Sequence, residues 1–181
     1  MVYMFLANGF EEVEAITVID VLRRANVDIK TVGIGSKTIV GAHNISVLAD
    51  LNESEMRIED MELVILPGGW DGVQNMSASE TVKEVLDYAY ESKTYIGAIC
   101  AAPIILGKAE MLKGKKALCY PSLEENLIGA EIETVKTVVK DDFIITSKGP
   151  ATAFDFGLEL VKLLKGEETY KQVKADCLYN G

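Results

Sequence analysis

Histidine is almost missing from this chain: His43 is the single one among 181 residues. A zinc site built from several imidazoles is therefore out of reach, and no Cys-x-x-Cys pair stands in for it. Cysteine is sparse and odd in number, at Cys100, Cys119 and Cys177. Such a set reads as reduced thiols, not as a disulfide framework. No apolar run approaches the ~20 residues of a membrane span. The opening Met1-Val-Tyr-Met-Phe-Leu6 is too short for a secretory leader and runs straight into acids. Cations are also in deficit, 18 Lys and Arg against 28 Asp and Glu, for a net charge of −10. Without a basic surplus there is little to release counterions from nucleic acid or an anionic membrane. The expectation is a cytoplasmic protein with neither nucleic acid nor membrane as partner.

Apolar residues make up 49% of the chain, which excludes disorder and suggests one domain with a sizeable core. Buried strands are expected at Val2–Ala7, Asp28–Ile34, Glu62–Leu66 and Thr94–Ile99, with a short one at Lys116–Cys119. Helices are expected at Glu11–Asn26, after a capping box at Ser77-x-x-Glu80, over Ala101–Met111, from Gly149-Pro150 to about Lys165, and over Glu167–Leu178. Thr38–Asp50 carries two short β-like pieces, and Thr134–Val139 with Phe143–Thr146 reads as a hairpin. Strands alternating with helices predict an α/β fold whose mostly parallel sheet is covered on both faces. Ligands in such sheets bind beyond the carboxyl ends of the strands.

One of those ends stands out. Tyr95-Ile-Gly-Ala-Ile-Cys100-Ala-Ala-Pro103 is an apolar run that stops in small residues at a cysteine, with apolar helix-like sequence straight after. A thiol at a helix start feels the positive end of the helix dipole, which favours the reactive thiolate. The alternative is a small buried hydrophobe, a common fate of free cysteine.

A second anomaly lies in the first helix. At about 100° per residue, Ala15, Val18, Ile19, Val21 and Leu22 form one apolar arc, and Glu14 falls inside it. Glu11 falls there too but sits near the helix start; Glu12, Asp20, Arg23 and Arg24 lie opposite. A buried carboxyl stays protonated unless a cation meets it, and as a carboxylate it can act as a base. The alternative is a helix rotated so that Glu14 reaches solvent. Gly68-Gly69 after the third strand is either an ordinary turn or a source of amides for an oxyanion.

Other matches carry no weight. Gly33-Ile-Gly-Ser-Lys-Thr38 lacks the glycine before Lys that a phosphate loop needs. Three glycosylation sequons occur without a secretory signal. Cys119 and Cys177 have no acid or base pattern around them.

Taken together, Leu6-Ala-Asn-Gly-Phe-Glu-Glu-Val-Glu14, Val21-Leu-Arg-Arg24, Leu66-Pro-Gly-Gly69, Ala98-Ile-Cys-Ala-Ala-Pro103 and Thr146-Ser-Lys-Gly-Pro150 resemble, in that order, the ThiJ/PfpI superfamily. The similarity is greatest to the branch of the parkinsonism-associated protein deglycase. The resemblance implies a flavodoxin-like three-layer sandwich with a small β-hairpin excursion, and a homodimer. It places the nucleophile at Cys100, its partner acid at Glu14, and oxyanion amides at Gly69 and Ala101. Relatives often carry a histidine where this chain has Tyr120, whose phenol, with a reference pKa of about 10, is a poor base at neutral pH but can donate a hydrogen bond. The protease-like branch has histidine directly after the cysteine; here that residue is Ala101. Amidotransferases of related fold need a later histidine, and none follows His43. His43 itself is either an exposed turn residue or one that approaches the site in a dimer.

Two functional readings follow. One is a cofactor-free, metal-free enzyme of glyoxalase or deglycase type, acting on a small aldehyde or dicarbonyl such as methylglyoxal or on its protein adducts. The other is an oxidative-stress sensor or redox-regulated chaperone that uses an oxidisable Cys100 without turnover.

Overall fold

A computed structural model describes residues 1–180 of the chain. Its centre is a seven-stranded sheet. In chain order the strands are β1 (Val2–Leu6), β2 (Ile29–Gly33), β3 (Thr38–Val40), β4 (Ser46–Leu48), β5 (Leu51–Asn52), β6 (Leu63–Leu66), β7 (Tyr95–Ile99), β8 (Lys116–Ala117), β9 (Glu131–Ile132), β10 (Val138–Asp141) and β11 (Ile144–Ser147). The large sheet runs β10-β11-β7-β6-β1-β2-β5. All its pairings are parallel except β10 with β11, the expected hairpin, which the structure places at the sheet edge.

The apolar runs become central strands because both faces are covered. β1, β6 and β11 are buried along their whole length. Side chains alternate between two cores, as a period of two requires. Tyr3, Phe5, Val64 and Leu66 pack with Val85, Leu86 and Ile104 on one face. Val2, Met4, Leu6 and Ile65 pack with Val18, Leu22, Phe156 and Leu160 on the other. The helices are α1 (Glu12–Arg24), α2 (Trp70–Ser77), α3 (Glu80–Ser92), α4 (Pro103–Lys108) and α5 (Ala153–Asp176). α1 and α5 cover one face; α2, α3 and α4 belong to the other. α5 takes in both helices expected at the C-terminal end, joined across a break at Gly166 with φ 85°. Among the described residues no helix is long and apolar enough to cross a membrane.

Several local expectations shift. Ser77 ends α2, a short polar helix that hydrophobic periodicity does not reveal, and Ser79 is the residue that caps α3, its Oγ accepting from the Val82 N–H at 3.3 Å. α4 starts at Pro103, not at Ala101, and runs only to Lys108. β8 pairs with β9, a strand of two residues that is too short to leave a pattern. The β3–β4 hairpin matches the expected excursion.

Glu12 departs furthest from its expected place. The 100° spacing puts it on the polar side of α1, yet it is 6% exposed. The connection between β3 and β4 folds over it. Its Oε1 accepts from the backbone N–H of His43 at 2.7 Å and of Ile45 at 3.4 Å. A helical wheel assumes that the side opposite the core faces water; here a second piece of chain covers it.

Candidate active site

The strand order decides where a site can form. From β1 the chain leaves to β2 on one side and returns to β6 on the other, so the connections part at the carboxyl ends of β1 and β6. That reversal opens a crevice. β7 lies next to β6, which brings the three unusual strand ends of the sequence side by side.

Cys100 follows β7 directly and sits at φ 65°, a left-handed conformation rare for residues with a side chain. Two backbone bonds hold it there. Its N–H donates to the Ser147 carbonyl at 2.9 Å, and its carbonyl accepts from the Tyr120 N–H at 2.8 Å. The strained turn sets the thiol at the end of the sheet, a strand-to-helix elbow.

Glu14, in the first turn of α1, is wholly buried. Its Oε2 accepts the Gly68 N–H at 2.7 Å, and its carboxyl lies within hydrogen-bonding reach of the Cys100 sulfur. Oε1 has no partner. Burial, chiefly, raises Glu14 to about 7, with the Glu11 charge adding to it against the pull of the Cys100 and Gly68 bonds.

The Gly69 and Ala101 amides, the two proposed as oxyanion donors, both donate toward the Cys100 sulfur. Gly69 has φ 86° and caps α2, whose start is stitched to α1 by the Glu11 N–H donating to the Gly68 carbonyl at 2.9 Å. Sequence reading singled out the Gly68-Gly69 pair but not the division of labour within it. Gly69 faces the sulfur, and Gly68 holds the carboxyl.

Local and tertiary causes pull the thiol's acidity in opposite directions. The helix-start argument favours thiolate, but burial and then the Glu14 charge push the Cys100 thiol well up, outweighing the two amides. α4 begins three residues beyond the thiol and spans only six, so its dipole contributes little. Glu14 thus stands beside the sulfur as a group able to exchange a proton with it.

Tyr120 lies at the site, tied by its N–H to Cys100, with its ring against Gly149. His43 does not reach it within the chain. The imidazole is largely exposed, with Nδ1 2.9 Å from Glu12 Oε2 and 3.7 Å from Glu11 Oε1. The bond to Glu12 raises its pKa. Ser147 and Gly149, which position Cys100 and border Glu14, were visible only as part of the Thr146–Pro150 segment. Cys119 is buried, Cys177 partly so, and all three cysteines are free.

The open, mostly parallel sheet defines a flavodoxin-like α/β protein, with a thiol on a strained elbow and a buried acid beside it at the candidate site. Residues 1–163 match the DJ-1/PfpI family, and the chain belongs to that family. Protein dj-1beta of Drosophila melanogaster is 36% identical over 177 residues, covering 97% of this chain and 95% of that protein. Its crystal structure superposes with a TM-score of 0.93 at 34% identity, covering 98% of this chain and 96% of that one. The glutathione-independent glyoxalase DJR-1.2 of Caenorhabditis elegans is 30% identical over 170 residues, covering 93% and 90%. The structure described as oxidised DJ-1 of Toxoplasma gondii gives a TM-score of 0.94 at 28% identity, covering 99% and 98%.

Proposed function

We propose that this chain is a cysteine-dependent enzyme of glyoxalase or deglycase type, acting on methylglyoxal-like dicarbonyls or their protein adducts with water as the only co-reactant. The observation that carries the reading is the Glu14 carboxyl, buried and raised to about 7 beside the Cys100 thiol. An acid–base group does most when its pKa lies near the working pH. The name of the C. elegans relative points the same way.

Glu14 accepts the thiol proton as sulfur adds to the aldehyde carbon and passes it to the new alkoxide, giving a hemithioacetal and freeing the carboxylate. The Gly69 and Ala101 amides meet the developing oxyanion. Glu14 then takes the C–H proton from the former aldehyde carbon and returns it to the neighbouring carbon, while the hemithioacetal hydroxyl proton passes to the former ketone oxygen. The resulting thioester is hydrolysed to a 2-hydroxy acid, freeing the thiol. Methylglyoxal plus water thus gives lactate, with no net oxidation.

Purified protein incubated with methylglyoxal and no glutathione is expected to form lactate, and Cys100→Ser to form none. Equal lactate from the two would end this reading. The alternative, an oxidant sensor that uses the same thiol without turnover, predicts oxygen addition at Cys100 under mild peroxide and no lactate.

The second proposal is a homodimer. Val13 and Ile16 on α1 are 50% and 43% exposed, and Leu48 on the hairpin is 76% exposed. Ile16 and Leu48 line one shallow cleft with Ile19 and Val47. Exposed apolar side chains gathered along one cleft, with Asp20, Arg23 and Asp50 beside them, support an interaction surface there. Sedimentation equilibrium is expected to give twice the chain mass, with Ile16→Glu shifting the species toward monomer. Native protein of single-chain mass at all concentrations would exclude the pairing.

A further inference from the structure

Ser147, the last residue of β11, is wholly buried. A hydroxyl in the interior is tolerated only when it is bonded. Its Oγ lies 3.0 Å from the Thr137 carbonyl, just before β10, and 2.7 Å from Thr152 Oγ1, in the turn that opens α5. With the Ser147 proton given to the Thr137 carbonyl, the Thr152 hydroxyl donates to Ser147. Thr152 Oγ1 in turn accepts the Gly149 N–H at 3.0 Å, and the Thr152 N–H donates to the Gly149 carbonyl at 2.8 Å. Two hydroxyls thus tie the entry of β10, the end of β11 and the start of α5 together.

The same serine reaches the thiol through its backbone. Its carbonyl accepts the Cys100 N–H at 2.9 Å. Cys100 keeps φ 65°, and a residue with a side chain persists in such a conformation only where its surroundings over-determine it. The Tyr120 N–H supplies one constraint and the Ser147 carbonyl the other. A carbonyl constrains a neighbour only as far as its own residue is fixed. Ser147 stands opposite Ile99 at the end of the β11–β7 pairing, where the ladder stops. Beyond that point the hydroxyl pair is what fixes it.

We propose that Ser147 and Thr152 are positioning residues of the site: their linked hydroxyls lock the carbonyl that holds Cys100 left-handed, and so keep the sulfur against the Gly69 and Ala101 amides. Without the link, Cys100 relaxes and the sulfur drifts from those two donors. The proposal rests on Cys100 as the reactive group of the site and not on which substrate it takes.

Thr152→Val removes the hydroxyl and keeps the shape of the side chain. Labelling of Cys100 by iodoacetamide at pH 8, read by mass spectrometry of its peptide, is expected to slow about threefold. That is the net effect of a tenfold loss of thiolate set against the greater nucleophilicity of a more basic sulfur. Thr152→Ser keeps the hydroxyl and should label at the native rate. Ser147→Ala should slow labelling as Thr152→Val does, and the double variant should add little, because both changes break the same link. Cys119, only 3% exposed, is the internal control and should label no faster than in the native chain. In turnover, kcat of Thr152→Val should fall about 10²-fold with KM held, the scale of a shift near 1 Å between reacting groups.

Native labelling of Cys100 in Thr152→Val overturns the proposal. So does an equal slowing in Thr152→Ser, because the hydroxyl would then not be responsible. Faster labelling of Cys119 in Thr152→Val also overturns it, since the link would then hold the fold in general and not the thiol. Slowed Cys100 labelling in Thr152→Val, with no lactate from the native chain, upholds the positioning and removes the glyoxalase reading. Lactate from the native chain with native labelling in Thr152→Val does the reverse.

Discussion

Glu14→Gln is expected to yield a protein that is more stable than the native chain at pH 8 and almost inactive. The sign follows from the raised carboxyl. Its ordinary pKa is 4.5 and burial lifts it to about 7 in the folded chain. Below pH 4.5 the group is protonated whether the chain is folded or not, and it contributes nothing to the pH dependence. Between 4.5 and 7 the unfolded chain releases the proton while the folded chain keeps it, so native stability falls as pH rises. Above about 7 both forms are ionised, and the folded state carries a constant penalty on the order of 3 kcal/mol.

A glutamine does not titrate and can still accept the Gly68 N–H. The stability gain of Glu14→Gln over the native chain should therefore be small at pH 4.5, grow toward neutrality and level off above it. Urea unfolding at several pH values reads this directly, and a gain independent of pH would contradict it. The same variant separates reactivity from catalysis. Removing the carboxylate takes away one of the causes that hold the thiol up, so the pH at which Cys100 begins to react with iodoacetamide should fall. Lactate formation should drop by roughly 10²–10⁴, the usual contribution of a positioned base. In the native chain kcat/KM should rise with pH through about 7, and that inflection should be lost in the variant.

Gly68→Ala should do nearly as much damage from the other side of the pair. A Cβ there would fall onto Glu14 Oε2, 2.6 Å from Cys100 Cβ and 3.1 Å from its Sγ. Neither partner can retreat. Glu14 is fully buried, and Cys100 is pinned through both its amide and its carbonyl. Overpacking of this kind costs about 1–3 kcal/mol. The catalytic loss is expected to be larger than that suggests, about 10²-fold, because a shift near 1 Å between reacting groups has that effect. Native turnover in Gly68→Ala, with a native melting curve, would show that the carboxyl and thiol do not work at this separation.

How much of this was legible beforehand depends on how local each cause is. The strands β1, β6 and β7 could be read because burial on both faces leaves an unbroken apolar run. α2 could not, because it is short, polar and contains Gly72. Cys100 and Glu14 were both found as local anomalies, a thiol where an apolar run stops and an acid on an apolar arc. Glu12 escaped the same test: the chain that buries it lies about thirty residues further on, where His43 and Ile45 reach back to bond it. The acidity of the thiol has causes of both kinds. A helix start is a local feature, whereas burial and a neighbouring carboxylate from another element are not.

Sequence alone therefore determined the architecture and the cast. It supplied alternating apolar strands and amphipathic helices, a cysteine at a strand end and an acid that no solvated helix face explains. Tertiary structure decided the chemistry those residues have. The reversal of strand order at β1 and β6 set three strand ends side by side. That closure left Glu14 dry, set the thiol beside it and aimed two amides at the sulfur. Desolvation and proximity are properties of assembled elements, which is why residue patterns show where reactive groups stand but not how far their acidities shift.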